Sequence, residues 1–347
     1  MVPPHRIGPF LVLSVVGRGG IGTVYRARHQ GTGALVALKV LGPSPAADAT
    51  SARRLAREYE VLRALDHPNV VRAYEAGAAE GYSYLAMELV DGLDLRTYLS
   101  PALDEDRLVC LPRTLEPPDA DTLSGGGGEA GLDAIRALAA MMDEPETEEC
   151  GLGRAPPESG EEGAPSPPPE PLAQEALAAL NRPARLDRLH AVLAQVADAL
   201  AYVHGQGLIH RDLKPSNIMV DDRRRARLMD FGLVKSTAEQ APAQPGRIVG
   251  TYRYMSPEQA QAQAVDARSD LYSLGVILYE LLTGTPPFSA RELGVLFRKI
   301  LHARPAPIAA VNPGVEPRLA ALAERLLEKD PARRPQCAQE VLRVLRG

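Results

Sequence analysis

Between Ile7 and Val40 apolar and polar positions alternate in runs broken by glycine: FLVLSVVGRGGIGTVYRARH, then a QGTGA turn, then LVALKVL. Alternation of period two marks half-buried strands, so the stretch predicts an antiparallel meander. The period then changes. Over residues 51–65, Leu55, Tyr59, Leu62 and Leu65 fall on one helical face, behind candidate caps at Asp48, Thr50 or Ser51. Residues 186–203 carry a stripe of Leu186, Leu189, Val192, Leu193, Val196, Leu200 and Val203, which predicts an amphipathic helix. The run DLYSLGVILYELLTG, 270–284, is apolar nearly all round and belongs inside a helical body. After Pro317 the pattern is helical to the last residues, with EKDPARRP as a break between two helices.

None of these periods holds between residues 101 and 184. There SGGGGEAG, DEPETEEC and APPESGEEGAPSPPPEP follow one another, and acidic residues outnumber basic ones about threefold, the bias of a disordered segment. The segment therefore reads as an acidic, Pro/Gly-rich insertion. Within it LDAIRALAAMM and LAQEALAALN keep helical spacing and could serve as transient helices or as docking elements for a regulatory partner. A solvated insertion with no binding role is the plainer expectation, because lengthening a surface loop is thermodynamically mild.

The chain has 347 residues, room for two lobes and a sizeable core, and its 45% apolar content is ordinary. Aromatic residues are 4% and Trp is absent, so Leu, Val and Ala must fill the interior. A net charge of −5 argues against nucleic acid as the main partner. Three cysteines, Cys110, Cys150 and Cys337, fit neither a disulfide framework nor a CxxC metal site. No stretch approaches the roughly 18 uncharged apolar residues of a membrane span, and the N-terminus lacks a leader pattern, so the sequence reads as soluble and cytoplasmic.

Chemistry concentrates at four places. Glycines 17, 19, 20 and 22 let a hairpin lie close over a polyphosphate and offer backbone N–H groups to it. A plain glycine-rich hairpin is the competing reading; no helix follows directly, as a dinucleotide fingerprint requires, and no Gly-Lys-Ser/Thr ending makes a Walker loop. Lys39 stands in an apolar strand and wants an anion, for which Glu58, or less readily Glu60, is available. HRDLKPSNIMV, 210–220, sets dense charge beside core-like flanks. A solvated turn would tolerate these residues, but buried charge must be paired or used. In phosphoryl transfer Asp212 can orient a hydroxyl and take its proton, Lys214 can touch the moving phosphate, and Asn217 can offer an oxygen to Mg²⁺. In LMDFGLV, Asp230 follows a short apolar strand, where a carboxylate can bridge metal ions under the phosphates.

GRGGIGTVY, VALKV, HRDLKPSN, DFG and YMSPE occur in this order, and with them the chain resembles the Hanks-type (eukaryotic-like) bacterial Ser/Thr protein kinases over residues 7–347, apart from the insertion. The resemblance implies an α+β, bilobal protein kinase fold: a small antiparallel β N-lobe with one main helix (7–90) and a larger helical C-lobe (91–347), with ATP in the cleft. It implies Lys39 on the α and β phosphates with Glu58 as its partner, Asp212 as base, and Asn217 and Asp230 on Mg²⁺, Mn²⁺ being an alternative. It places Val24, Ala37 and Met219 around adenine, Met87 as gatekeeper, Glu88 and Val90 on the hinge backbone and Asp94 near the ribose. Thr251 would hydrogen-bond the catalytic Asp and Lys. Glu258 would pair with Arg334 and Asp270 would brace the catalytic loop, both structural roles. Glu58 as a surface charge and Asp94 as a plain helix cap stay open. Lys214 resembles Ser/Thr kinases rather than tyrosine kinases, and protein substrates with Ser or Thr follow.

Two rivals come from other classes. A pseudokinase scaffold predicts loss of Lys39, Asp212, Asn217 or Asp230, and all are present. A small-molecule kinase of related fold is disfavoured by GTYRYMSPE, which resembles a peptide-docking loop. One departure stands out. Arg211 in related kinases receives a phosphate from the activation loop, yet between Ala238 and Val249 there is no Ser, Thr or Tyr, and positions such as Ala243 and Pro245 stand where acceptors are usual. Ser236 and Thr237 are poor geometric substitutes, so activity is expected not to depend on phosphorylation at the usual loop site.

Overall fold

The computed structural model describes residues 5–18, 22–41, 49–103, 132–134, 173–231 and 252–347. The chain divides into two compact units, passing from the first to the second between Asp91 and Gly92.

In the first unit the glycine-punctuated alternation folds as read. Strands β1 (Arg6–Ile7), β2 (Phe10–Arg18), β3 (Thr23–His29) and β4 (Leu35–Leu41) form an antiparallel meander. Two strands not read from the sequence, β5 (Ala73–Ala79) and β6 (Tyr82–Glu88), complete a six-stranded sheet of order β1-β2-β3-β4-β6-β5. In β6 only Tyr82 is left partly open, so it shows no alternation to recognise. One sheet face carries a core of Phe10, Tyr25, Ala27, Val36, Leu38, Val40, Tyr84 and Ala86. Helix α1 (Ala49–Leu62) packs on β5 and β6 through residues including Leu55, Tyr59 and Leu62. It begins two residues before the expected start and ends at Leu62, with Leu65 buried just beyond it.

The second unit opens with β7 (Gly92–Asp94) and α2 (Leu95–Tyr98). Residues 104–131 and 135–172, most of the acidic insertion, lie outside the described residues. The structure corrects the far bound of that segment: α3 (Gln174–Leu180) is formed, and the long helix α4 (Pro183–Gly205) starts at Pro183, ahead of the expected 186. The reason is Arg185, whose side chain is buried and donates to the carbonyls of Leu99, Leu180 and Leu281. Burial, with Arg188 beside it, pushes this guanidinium down to about 10. Asn181 and Asn312 exchange amide hydrogen bonds at 2.7 and 3.0 Å, clamping the same turn.

A three-stranded sheet, β7-β8-β9, uses β8 (Ile218–Asp221) and β9 (Ala226–Leu228). Helices α5 (Pro257–Ala260), α6 (Ala267–Thr283), α7 (Leu293–His302), α8 (Ile308–Val311), α9 (Pro317–Leu326) and α10 (Ala338–Arg346) follow. Helix α6 is buried on nearly all sides, as its uninterrupted apolar run demands; it packs on α9, and α4 packs on α10. Asp266 caps its start, and Gly284 at φ 74° closes its end in the left-handed region that suits glycine. Among the described residues no helix is long and apolar enough to cross a membrane.

Candidate active site

The registers of the first sheet decide which side chains share a face. Val24 stands opposite Lys39, Arg26 opposite Ala37, and Ala37 opposite Met87. Directly opposed residues, and residues two apart, point the same way, so Val24, Arg26, Ala37, Lys39 and Met87 lie on the face away from the core cluster. Lys39 Nζ donates to both Glu58 oxygens at 2.9 and 2.8 Å, with both side chains largely buried. Glu60, the less favoured alternative, pairs instead with Arg57 on the helix surface. Glu58 is therefore the anion that the strand lysine required.

Gly17 and Gly22 flank the glycine turn; Gly19 and Gly20 lie outside the described residues. A Cβ at Gly22 would collide with the Val40 carbonyl oxygen, whereas one at Gly17 would meet nothing within 4 Å. Glycine is thus obligatory for packing at one end of the turn and available for backbone approach at the other. Beside it Val16 is 58% exposed, an uncovered apolar group that the motif reading did not single out. Ala37, Met87 and Glu88 are buried, and Val90 half-buried.

In the second unit the segment after α4 is held from beneath. Asp270 accepts from the backbone N–H groups of His210 and Arg211, each at 2.8 Å, and meets His204 Nε2 at 2.8 Å. Gln259 Nε2 donates to the Arg211 carbonyl. These contacts hold Arg211 at φ 65°, a strained value for a side-chain-bearing residue. His210 is fully buried, which lowers its pKa; its Nε2 faces the Met229 carbonyl at 3.1 Å, so the ring donates there in its neutral form.

The Asp212 carboxylate is oriented by two donors on Oδ2: Lys214 Nζ at 2.8 Å and Asn217 Nδ2 at 3.3 Å, the latter also bonding the Asp212 carbonyl at 2.8 Å. Met229 N donates to the Asn217 carbonyl, which brings the chain entering Asp230 beside Asn217. Asp230 itself sits at φ 54°. Asp94 pairs in register with Met219, but its carboxylate is the N-cap of α2, accepting from Arg96 N, Thr97 N and Thr97 Oγ1. The cap, one of the two readings left open, is what this structure contains. Thr251, Ser236, Thr237 and the rest of the activation loop lie outside the described residues.

Glu258 and Arg334 form the expected buried pair, at 2.7 and 2.9 Å. A further cluster escaped the sequence reading: Arg96 donates to Tyr254 and Glu280, and Tyr254 donates to Glu280, each at 2.7 Å. Burial, with Glu280 adding to it, raises the Tyr254 pKa, so the hydroxyl stays a donor.

A divalent metal can be tested against the donor set. Asn217 has committed its amide N–H₂ to Asp212, which leaves its oxygen, approached by the Ser216 hydroxyl at 3.4 Å, as the atom that could ligate a metal, and Asp230 could supply a carboxylate. Among the described residues there is no group of three or more His, Cys, Asp or Glu that could cage a metal. One or two hard oxygen ligands without a cage fit Mg²⁺, which keeps waters and takes substrate phosphates as its remaining ligands. Chemically, the segment offers an oriented carboxylate that could serve as a base, a cation beside it, and two residues, Asn217 and Asp230, whose oxygens could ligate a metal.

A family model described as "protein tyrosine and serine/threonine kinase" matches residues 11–344. The chain is 33% identical over 97% of its length to the serine/threonine-protein kinase pkn2 of Myxococcus xanthus, covering 32% of that protein. It is 31% identical over 95% to pkn3 of the same organism, covering 48% of it, and 30% identical over 98% to PknB of Mycobacterium leprae, covering 43%. The chain thus spans about a third to about a half of the length of these relatives. Among solved structures, the PknI kinase domain of Mycobacterium tuberculosis matches 98% of this chain and 96% of its own, with a TM-score of 0.57 at 24% identity, a likeness of fold.

Proposed function

This chain belongs to the protein tyrosine and serine/threonine kinase family, and from that membership we propose that it is a protein serine/threonine kinase, moving the γ-phosphoryl of ATP to Ser or Thr hydroxyls of protein substrates. The observation that carries the reading is the Asp212 carboxylate, set by Lys214 and Asn217 on a loop that Asp270 fixes through two backbone N–H groups. Asp212 orients the substrate hydroxyl and accepts its proton as that oxygen bonds to the γ-phosphorus and the bond to ADP breaks. Lys214 offsets charge on the transferring phosphoryl. Asn217 and Asp230 would hold Mg²⁺, which when bound neutralises the phosphate oxygens. In the first unit Lys39, held straight by Glu58, takes the α and β phosphates, while Val24, Ala37, Met87 and the exposed Val16 cover the base, and the backbone at Glu88 and Val90 hydrogen-bonds its edge.

Three finer statements belong to the same proposal. Serine and threonine are the acceptors because Lys214 follows the base by two residues, as in the named relatives' class of enzyme. The protein works in a bacterial cytoplasm, with Mn²⁺ able to replace Mg²⁺. The loop reaches its working form without phosphate at its usual position, and the acidic insertion before α3 offers a place where a regulatory partner could act.

The test is incubation with γ-labelled ATP, Mg²⁺ and a generic basic protein, followed by phosphoamino-acid analysis. Label on serine or threonine with wild type, and none with Lys39→Met, is expected. Phosphotyrosine alone, or equal label with the variant, would overturn the reading. If activity required prior phosphate on Ser236 or Thr237, the loop proposal would fail by itself.

A further inference from the structure

The nucleotide face of the first sheet carries a charged group that no kinase motif in the sequence marks. Arg26 lies two residues past Val24 on β3 and directly opposite Ala37 on β4, so it shares the face of Val24, Ala37 and Lys39. Its Nη2 reaches an Asp91 oxygen at 2.7 Å, with the two side chains 34% and 15% exposed. Asp91 is the residue after Val90 and the last before the second unit begins. Between β6 and Asp91 only Leu89 and Val90 intervene, the stretch whose backbone groups are assigned to the base. The ion pair therefore fastens the far end of that stretch to the strand that carries Val24.

We propose that the Arg26–Asp91 ion pair is a positioning element for the purine nucleotide, holding the 88–91 backbone in line with the Val24 and Ala37 face, an inference that rests on the kinase reading above. Neither side chain belongs to the groups assigned to the phosphates of the nucleotide; the side chains so assigned in this unit are Lys39 and its partner Glu58, whose contact is independent of Arg26. The pair acts on binding in the ground state and the transition state alike, which changes KM and leaves kcat nearly untouched. A partly buried pair with a single short contact sets the scale: removing either partner raises KM for ATP about three- to tenfold.

The experiment compares the wild-type 347-residue chain with Arg26→Gln, Asp91→Asn, Arg26→Lys and the charge swap Arg26→Asp with Asp91→Arg. Each is measured for KM and kcat with ATP, for the Kd of a fluorescent ATP analogue and for thermal midpoint. The expected result is a raised KM and Kd in both neutralising variants, with kcat changed less than about twofold. Arg26→Lys keeps most of the wild-type affinity, the charge swap recovers at least part of the loss, and the difference from wild type shrinks in about 0.5 M KCl. Unchanged KM in both neutralising variants of an active wild type would overturn the pair's role and leave the kinase reading intact. A fall of kcat in step with the thermal midpoint would reduce the pair to scaffolding and overturn it too. A wild type that neither binds the analogue nor transfers phosphate would remove the kinase reading and this inference together.

Discussion

Every N–H of the Arg334 guanidinium in the second unit is used, and removing it gives a sharp test of how that unit is held together. Its guanidinium has five N–H donors, and the structure engages each: Nε to the Glu328 carbonyl at 2.8 Å, Nη1 to Glu258 and the Arg268 carbonyl at 2.7 and 3.0 Å, Nη2 to Glu258 and the Lys329 carbonyl at 2.9 and 3.0 Å. The residue is 1% exposed, and its guanidinium lies 4.9 Å over the Tyr272 ring. Arg334→Met keeps the volume and removes every donor, leaving Glu258 as a buried carboxylate whose one other side-chain partner shown is Ser269 at 2.6 Å. Breaking a buried pair from one side typically costs about 3–5 kcal/mol, a fifth or more of an ordinary domain's roughly 5–15 kcal/mol. Arg334→Lys keeps the charge but not the fork and loses about 2 kcal/mol. Glu258→Leu with Arg334→Met loses less than the sum of the single changes, because no lone charge remains. Urea unfolding followed by circular dichroism reads wild type, Arg334→Met, Arg334→Lys, Glu258→Leu and the double variant, with an unchanged slope as the sign of an unchanged transition. Arg334→Met within about 1 kcal/mol of wild type, where surface substitutions fall, would refute the reasoning.

Other outcomes follow from single sites. Burial, reinforced by Arg334, pushes the Lys329 ammonium down to about 7, although its Nζ donates to the Ile300 carbonyl at 2.6 Å and lies 4.0 Å over the Phe288 ring. An amine depressed on folding binds fewer protons folded than unfolded, so stability should rise by about 1 kcal/mol between about pH 7 and 8 and be lost again as pH falls through 7. That slope should vanish in Lys329→Met, and equal slopes in urea titrations would contradict it. The Glu258 carboxyl sits below its usual range: burial works to raise it, and the Arg334 and Ser269 hydrogen bonds outweigh that. Its contribution is present above the ordinary carboxyl pKa and disappears as pH falls through the lowered value, so Arg334→Met should soften acid unfolding at the start of that window. Gly22→Ala drives a methyl group into the Val40 carbonyl, which should destabilise the first unit by about 1–3 kcal/mol and raise KM for ATP; a silent change in both would show that the turn yields freely. Glu58→Gln should lower kcat at least about tenfold with the fold intact, because Lys39 loses a bidentate charged partner.

Much of this was legible because the decisive residues are either close in sequence or conspicuous for their type. His210 to Asn217 span a few positions, so their joint purpose could be read without knowing the fold. Lys39 stood out because a cation in an apolar strand needs an anion, and the only choice left was between Glu58 and Glu60. Helix α6 was plain from an apolar run with no polar stripe. Arg26 and Asp91 were not legible: they lie 65 residues apart, and each alone is an ordinary surface charge. Arg185 was hidden similarly, since nothing local says that carbonyls of two distant segments, at Leu99 and Leu281, will converge on it beside that of Leu180. Helix α3 was announced by the helical spacing of LAQEALAALN, but the acidic composition before it pointed to a transient helix, where the structure holds a formed one. Asp94 turned on whether a helix started directly after it, which a four-residue helix does not announce.

The central claim is that Asp212 takes the proton in phosphoryl transfer and does not bind the nucleotide. It is tested most directly by single-turnover transfer from γ-labelled ATP to a protein substrate, comparing wild type with Asp212→Asn, with ATP-analogue affinity measured on the same samples. The account predicts affinity within about threefold and a transfer rate at least about a hundredfold lower in the variant. Equal transfer rates, or a loss explained wholly by weaker nucleotide binding, would contradict it.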